Sequence, residues 1–307
     1  MSLVKSLAAC MAALTIAFVS NSAAARSQIL YQNARRNYMN IRKLLLALAV
    51  LTLAATGFGQ GQQKAPDADK VSPDATTTCK LTFTSGSSPN YLQFCVTVNG
   101  NIVEFQSPHG FEHIREGEIL EGYGICDFGN LTRYYDWAAE DSGNWEPPTF
   151  TGKSLPITIK RTTSDGVYTL TQVINRNTTD PGVLITMTLK NNTAAAHDFS
   201  LIRYADIDAN NAYFKGDAED LFDFTHESAW GYNNGFNLFG VMLSTVPTAQ
   251  THFAFVQDTY EPPDPCAPVN NLPASTPWFG DGSVGMDWNG TLGADKSLTF
   301  TSEYKRF

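Results

Sequence analysis

Alternating apolar and polar positions dominate the chain after about residue 79, and they predict strands rather than helices. The clearest run covers residues 183–190 and places every second side chain on one apolar face: Val183, Ile185, Met187 and Leu189. No stretch in this part of the chain keeps a helical period over three turns. We therefore expect over a dozen strands and at most one short helix.

Two turn signals predict hairpins between these strands. Ser164-Asp165-Gly166 separates the strand candidates 157–161 and 167–174. Asn99-Gly100 separates two shorter apolar runs, and we expect it to form a type I′ turn, which requires positive φ angles. The remaining strand candidates are 79–84, 117–125, 197–208, 238–244, 251–256, 284–289 and 297–304.

Residues 79–307 are expected to form one domain, a single large antiparallel β-sandwich in the all-β class. No Pro/Gly/Ser-rich linker and no repeat interrupts it, and sandwiches of this size occur as single units. Residues 60–78 are rich in Gln, Asp, Pro and Thr without periodicity, and we expect a disordered linker. The Pro-rich segment 258–283 is the one long irregular loop.

The N-terminus carries two successive patterns typical of secretory signals. In the first, within residues 1–25, Lys5 precedes an apolar run and small residues. The second covers residues 39–59 and begins at Met39. Both apolar runs are shorter than the roughly 20 residues that span a bilayer, although a two-helix membrane anchor is the alternative. We interpret 1–38 as a segment upstream of the true initiator, Met39, and expect a secreted or periplasmic protein.

Cysteine usage agrees with export. Four cysteines follow the signal segments, an even number suited to an oxidising compartment: Cys79, Cys95, Cys126 and Cys266. Cys79 and Cys95 flank the turn-like segment 85–90 almost symmetrically, which favours the pairs Cys79–Cys95 and Cys126–Cys266. A zinc site is the alternative, but no Cys-x-x-Cys spacing supports it.

The charge balance excludes one class of partner. The formal net charge is −9. The first 60 residues contain six Lys and Arg residues and no acid, so the residues after position 60 carry a net charge of −15. So acidic a domain is not suited to bind phosphate backbones or anionic lipid surfaces, since both repel it. We expect no nucleic-acid partner.

Three segments resemble galactose-mutarotase-like supersandwich domains. Val98-Asn-Gly-Asn-Ile-Val-Glu-Phe-Gln-Ser-Pro-His-Gly110 resembles their first strands, and Ile185-Thr-Met-Thr-Leu-Lys-Asn-Asn-Thr193 resembles their central strands. The tail from Trp288 to Phe300 is similar to closing hairpins of large sandwiches. The resemblance implies a β-supersandwich and a role with carbohydrate, because the fold includes sugar epimerases and non-catalytic domains of glycoside hydrolases. It assigns no catalytic residue here.

Residues 109–113 spell His-x-x-Glu-His, the inverted zinc-protease pattern. That chemistry needs both imidazoles on one helix face, whereas Pro108 and Gly110 argue against a helix. The alternatives are a loop with solvent-facing polar groups, or a polar pocket at the sheet edge lined by Glu112 and His113. We keep Glu112 and His113 as candidate catalytic residues.

An acidic segment follows the strand candidate 197–208. Asp206, Asp208, Asn210 and Asp217 stand at positions 1, 3, 5 and 12 of a calcium-loop spacing. An acidic strand end without metal is the alternative, since position 12 lacks the usual Glu and no helix precedes the loop. Asp206 and Asp208 share one strand face, so together with Glu112 they are also candidates for acid–base work on a glycosidic bond.

Aromatic side chains in or near loops are candidate sugar-binding residues, because flat rings stack on the C–H faces of sugars. They are Tyr135, Trp137, Trp145, Trp230, Tyr232 and Trp278. The alternative is that they fill the core, the common fate of large rings. We expect Trp288 and Phe300, which lie within strand patterns, to be core residues.

Together these patterns predict an exported carbohydrate-binding or accessory domain with no certain cofactor. A sugar epimerase, hydrolase or lyase is the rival hypothesis. A structural envelope protein without a small ligand is the third, because this architecture hosts both active and inert domains.

Overall fold

A computed structural model describes residues 76–87, 89–114, 121–209, 220–232, 240–245, 250–267 and 277–306. The segments 1–38 and 39–59 and most of the expected linker 60–78 lie outside the described residues. Within these ranges the chain forms strands and no α-helix, as the alternation predicted. The strands are β1 Leu81–Ser85, β2 Leu92–Val96, β3 Ile102–Gln106, β4 Glu121–Asp127, β5 Thr132–Asp136, β6 Thr149–Thr151, β7 Ile157–Thr162, β8 Tyr168–Arg176, β9 Gly182–Asn191, β10 His197–Asp206, β11 Asp220–Phe224, β12 Ser228–Tyr232, β13 Gly240–Thr245, β14 Thr251–Gln257, β15 Trp278–Gly280, β16 Ser283–Leu292 and β17 Ser297–Arg306.

The strands assemble into two large antiparallel sheets and one small one. The five-stranded sheet has the order β14-β16-β10-β4-β5, and the nine-stranded sheet has the order β15-β11-β12-β13-β17-β9-β8-β7-β6. Strands β1 to β3 form a separate three-stranded sheet. The prediction of an all-β antiparallel sandwich is confirmed. Strands β5, β6, β11, β12 and β15 were absent from the sequence prediction, being short or irregular in their alternation.

The main core lies where the apolar strand faces meet. All four apolar residues of the β9 pattern are fully buried in it, as predicted from their spacing of two. Trp288 on β16 and Phe300 on β17 are also core residues, with ring centroids 5.6 Å apart. The period-two pattern thus fixes which side of these strands is buried.

Two arginines are buried in the interior, each beside acidic groups. Arg161 on β7 lies 2.7 Å from Asp136 and 2.9 Å from Asp141. Arg203 on β10 pairs with Glu121 on β4, whose carboxylate also accepts a hydrogen bond from Tyr304. Buried charges persist only when paired and hydrogen-bonded, so these groups connect the sheets through polar as well as apolar contacts.

Both predicted hairpins exist, but the Asn99-Gly100 turn is not type I′. Gly100 has a φ of 96°, whereas Asn99 is not among the non-glycine residues with positive φ. The Gly100 amide donates to the Thr97 carbonyl, and the β2–β3 register shifts beside the turn. The Gly166 amide likewise donates to Thr163, with a φ of 76° at Gly166. Three residues separate the hydrogen-bonded Thr97 and Asn101, and four separate Thr163 and Tyr168, and each loop has one left-handed glycine rather than two positive φ angles.

The two predicted disulfides are present. Cys79, two residues before β1, pairs with Cys95 on β2, and Cys126 on β4 pairs with Cys266. The second disulfide ties the segment 258–267, here called the strap, to the five-stranded sheet. None of the described residues belongs to a helix of the length and apolarity that crossing a membrane requires.

Candidate functional site

The five-stranded sheet has a second face, opposite to the main core, that we call the outer face. On β10 the residues Phe199 and Leu201 belong to the main core, whereas Ile202 and Tyr204 belong to a separate apolar cluster. The residues opposite Ile202 and Tyr204 on β16 are Asp287 and Gly285, and side chains that pair directly across strands share one face. The separate cluster at the centre of the outer face consists of Trp137, Ile202, Tyr204 and Phe255, flanked by Tyr135 and Phe253.

The strap lies against this outer face. Its carbonyl at Tyr260 accepts a hydrogen bond from the Tyr204 hydroxyl, and its Asp264 carboxylate accepts two from Arg133, at 2.6 and 2.8 Å. Pro265 packs so closely on Gly124 that a Cβ at Gly124 would lie 2.6 Å from the Pro265 ring. The strap therefore covers the middle of the sheet.

A pocket of about 420 Å³ opens where the strap meets one end of the outer face. Its apolar lining includes the rings of Phe128, Phe253 and Pro265, and its polar lining includes Asp198, Asp287 and Asn289. Phe128 is exposed, at 43%. The volume lies within the range of small-molecule sites, and rings beside carboxylate and amide groups suit a polyhydroxylated ligand with apolar C–H faces.

Asp287 is the buried acidic group of this pocket. It is 8% exposed, and the Ser200 hydroxyl donates a 2.8 Å hydrogen bond to its Oδ1 atom. Burial raises the pKa of Asp287 to about 6, although the Ser200 hydrogen bond by itself favours the charged form. The Asp287 carboxyl therefore titrates near pH 6. Its charged form accepts hydrogen bonds from ligand hydroxyls, and its neutral form is also able to donate one.

A second group of acidic residues, Asp206 and Asp208, lies at the C-terminal end of β10 and just after it. Burial, followed by repulsion from Asp208, raises the pKa of Asp206 well above its usual range. Burial and then repulsion from Asp281 raise the pKa of Asp208 to about 6. The other two expected calcium ligands, Asn210 and Asp217, lie outside the described residues. The Asp206–Asp208 part of that prediction is thus a pair of desolvated carboxyls.

Glu112 and His113 lie next to Asp208 in the backbone, because the Asp208 amide donates to the His113 carbonyl. The Glu112 carboxylate accepts hydrogen bonds from the amides of Phe105, His113 and Ile114. His113 is fully buried, with its Nε2 atom 2.8 Å from the Ser107 carbonyl. Burial lowers the pKa of His113 to about 4, so its ring is neutral at pH 7. The hydrogen bonds of both side chains stabilise the bend of the chain after β3.

The six candidate aromatic residues separate into three environments. Tyr135 and Trp137 stack on the outer face, 5.7 Å apart and nearly parallel. Trp145 is in the main core, where its ring packs under the Arg161 guanidinium at 5.1 Å. The remaining three are partly buried near one edge of the nine-stranded sheet: Trp230 and Tyr232 on β12, and Trp278 on β15. The tertiary structure therefore brings only Tyr135 and Trp137 to the outer face.

Sequence reasoning did not single out Asp287, Ser200 or Phe253. A signal for Asp287 was available, because it stands between the core residues Met286 and Trp288 in a predicted strand. Alternation alone places such an acid on the face opposite to the core. It does not show that this acid is buried in the folded protein.

No family model matches the sequence, and no curated protein matches it significantly. Among solved structures, a bacterial glucoamylase complexed with acarbose is similar over 76% of this chain and 32% of its own, with 10% identity and a TM-score of 0.53. This similarity is one of fold. The heparan sulfate lyase HepC from Pedobacter heparinus is similar over 74% and 34%, with 8% identity and a TM-score of 0.42.

A putative aldose 1-epimerase from Escherichia coli K12 is similar over 74% of this chain and 98% of its own, with 10% identity and a TM-score of 0.44. The sequence resembles galactose-mutarotase-like domains, and the solved structures similar to this chain include this epimerase at low identity. The chain spans about a third of the length of the glucoamylase and lyase chains.

Proposed function

We propose that the protein binds carbohydrate in the pocket beside Asp287. The observation that carries this proposal is the combination of an exposed ring, Phe128, with a buried carboxyl of raised pKa in one pocket of about 420 Å³. Rings contact the apolar faces of sugars, and Asp198, Asp287 and Asn289 supply hydrogen-bond partners for hydroxyl groups. The glucoamylase to which the fold is similar was crystallised with acarbose, which supports a saccharide as ligand class.

The stable frame of the pocket supports ligand binding. The floor comes from β10, β14 and β16, and the strap that closes one side is fixed by the Cys126–Cys266 disulfide and by Arg133. A largely preformed pocket binds without a large ordering cost. The disulfides also suit the extracytoplasmic location that we propose, since such bonds persist in oxidising compartments.

An enzyme acting on sugars is the second candidate, favoured by the raised pKa of Asp287. A carboxyl with a pKa of about 6 is protonated in part at mildly acidic pH, where it is able to act as a general acid on a glycosidic oxygen. Asp198, an exposed carboxyl of the same pocket, would be the partner group. Turnover of a bound sugar, lost in Asp287→Asn, would establish this alternative.

The test is a binding screen of the oxidised protein against mono- and oligosaccharides, followed by calorimetry on any saccharide that binds. Phe128→Ala and Asp287→Asn should each weaken binding at least tenfold. Phe279→Ala is the matched control, because Phe279 is an exposed ring on β15 at 54% and is not in the pocket lining. Absence of binding to every saccharide, or equal affinity in Phe128→Ala and Phe279→Ala, would refute the proposal and favour a structural role.

A further inference from the structure

Two histidines and one glutamate converge on the side of the molecule where the nine-stranded sheet meets β14. His226 and Glu227 lie in the turn between β11 and β12, and His252 is the second residue of β14. One ligand atom of each side chain lies within 4.8 Å of the others. These residues are separate from the pocket beside Asp287, since none of them lines it.

The backbone around this cluster is held in place from two strands. The His226 carbonyl accepts a 3.0 Å hydrogen bond from the Ala254 amide on β14. The Glu227 carbonyl accepts one of 3.0 Å from the Thr245 amide at the end of β13. The turn therefore keeps a fixed position relative to His252, which a preformed ligand set requires.

The side chains are arranged with the carboxylate between the two rings. Glu227 Oε1 lies 3.1 Å from His226 Nδ1, and Glu227 Oε2 lies 2.7 Å from His252 Nε2. The ring centroids of His226 and His252 are 5.1 Å apart. Three potential ligand atoms thus surround one small volume.

The hydrogen bond on the far side of His252 places a proton on its Nδ1 atom. His252 Nδ1 lies 2.8 Å from the Gln250 carbonyl, which only accepts, so Nδ1 carries a proton. The Glu227 carboxylate likewise only accepts, so Nε2 also carries a proton in the metal-free chain, and a bound metal ion would displace that proton. A backbone carbonyl that orients a histidine in this way is the usual outer partner of a metal-bound imidazole.

We propose that His226, Glu227 and His252 form a binding site for a divalent transition-metal ion of the zinc type. Two imidazole nitrogens and one carboxylate oxygen suit zinc, whereas calcium and magnesium favour all-oxygen sites. Three protein ligands leave the fourth tetrahedral position to water. The ion would cross-link the β11–β12 turn of one sheet to the edge strand β14 of the other.

The geometry requires only a small adjustment of exposed side chains. Ligand atoms on one tetrahedral zinc ion lie about 3.4 Å apart, given zinc–nitrogen distances of about 2.1 Å. The present separations reach up to 4.8 Å. The side chains of His226 and Glu227 are 66% and 56% exposed, so they are able to rotate toward the almost buried His252.

Zinc titration of the chelator-treated, oxidised protein tests the site, with a competing chromophoric chelator to obtain the dissociation constant. We expect one Zn²⁺ per chain and a rise in the unfolding temperature, while Ca²⁺ gives neither. His252→Ala and Glu227→Gln should each weaken Zn²⁺ binding at least tenfold, and His109→Ala, at an exposed histidine outside the cluster, should not change it. Co²⁺ should give the visible absorption of a tetrahedral site in the wild type and lose it in His252→Ala.

Glu227→Gln keeps the size of an exposed side chain, so a folding defect is not expected to obscure the result, and circular dichroism in chelator checks this. Zn²⁺ that binds in less than stoichiometric amount, or with equal affinity in wild type, His252→Ala and Glu227→Gln, would overturn the proposal.

Discussion

The Ser200 hydroxyl donates a 2.8 Å hydrogen bond to the Asp287 carboxyl across the β10–β16 pair of the outer face. This is the one side-chain hydrogen bond to Asp287 among the described contacts, and it does not offset burial, so the pKa of Asp287 rises to about 6. A buried acid with so little support is costly to the fold when it ionises. Groups with a raised pKa cluster at functional sites, which is consistent with the saccharide-binding role that we propose for this pocket.

Asp287→Asn should therefore stabilise the protein at pH 8 while weakening saccharide binding. Because the pKa of Asp287 is raised in the folded state, its favourable contribution is present below about pH 4 and is lost as the pH rises through about 6. The loss is on the order of 2 to 3 kcal/mol, and asparagine, which does not ionise, avoids it. Unfolding temperatures of wild type and variant should converge at pH 4 and separate at pH 8. A variant less stable than wild type at pH 8 would contradict this account.

Arg161→Ala should destabilise the fold by about 3 to 5 kcal/mol, because it leaves Asp136 and Asp141 buried without their cation. Arg133→Ala is the matched control. Its ion pair with Asp264 is about 40% exposed on both sides and should contribute no more than about 1 kcal/mol. Denaturant unfolding of both variants measures the difference, and similar losses in the two would exclude a special role for the buried network.

The two disulfides should differ in their contribution to stability. Cys126–Cys266 joins residues 140 positions apart, whereas Cys79–Cys95 joins residues 16 apart. Loop-closure entropy then gives the longer link about 2 kcal/mol more stabilisation. Double Cys→Ser variants at each pair, compared by denaturant midpoint, check this. Loss of the longer link should also weaken saccharide binding, since Pro265 and Cys266 line the pocket.

Gly124→Ala should displace the strap and cost about 1 to 3 kcal/mol. A Cβ at Gly124 would lie 2.6 Å from Pro265 and 2.9 Å from the Trp137 ring, so one of them must move. At Gly290 the nearest atom would be 4.0 Å away, and Gly290→Ala is the control for stability. Equal unfolding temperatures for the two variants would show that the strap is not packed as described.

The sequence by itself determined the fold class and much of the local structure. Alternation is a local property, so it correctly placed Val183 and Ile185 in the core, and turn residues located the hairpin at Gly166. The near-symmetric spacing of Cys79 and Cys95 around a turn was enough to pair them. The remaining pair, Cys126–Cys266, followed by elimination.

Only the tertiary structure decided which of these residues meet. Trp145 and Trp137 look alike in sequence, yet one fills the main core and the other lies on the outer face. Asp287 is buried between the neighbouring strands, opposite Ile202 and Phe253, on a face that alternation marks as solvent-facing. His252 reached Glu227 across 25 positions of sequence. Burial and convergence depend on long-range packing between sheets, and no local pattern along the chain encodes that packing.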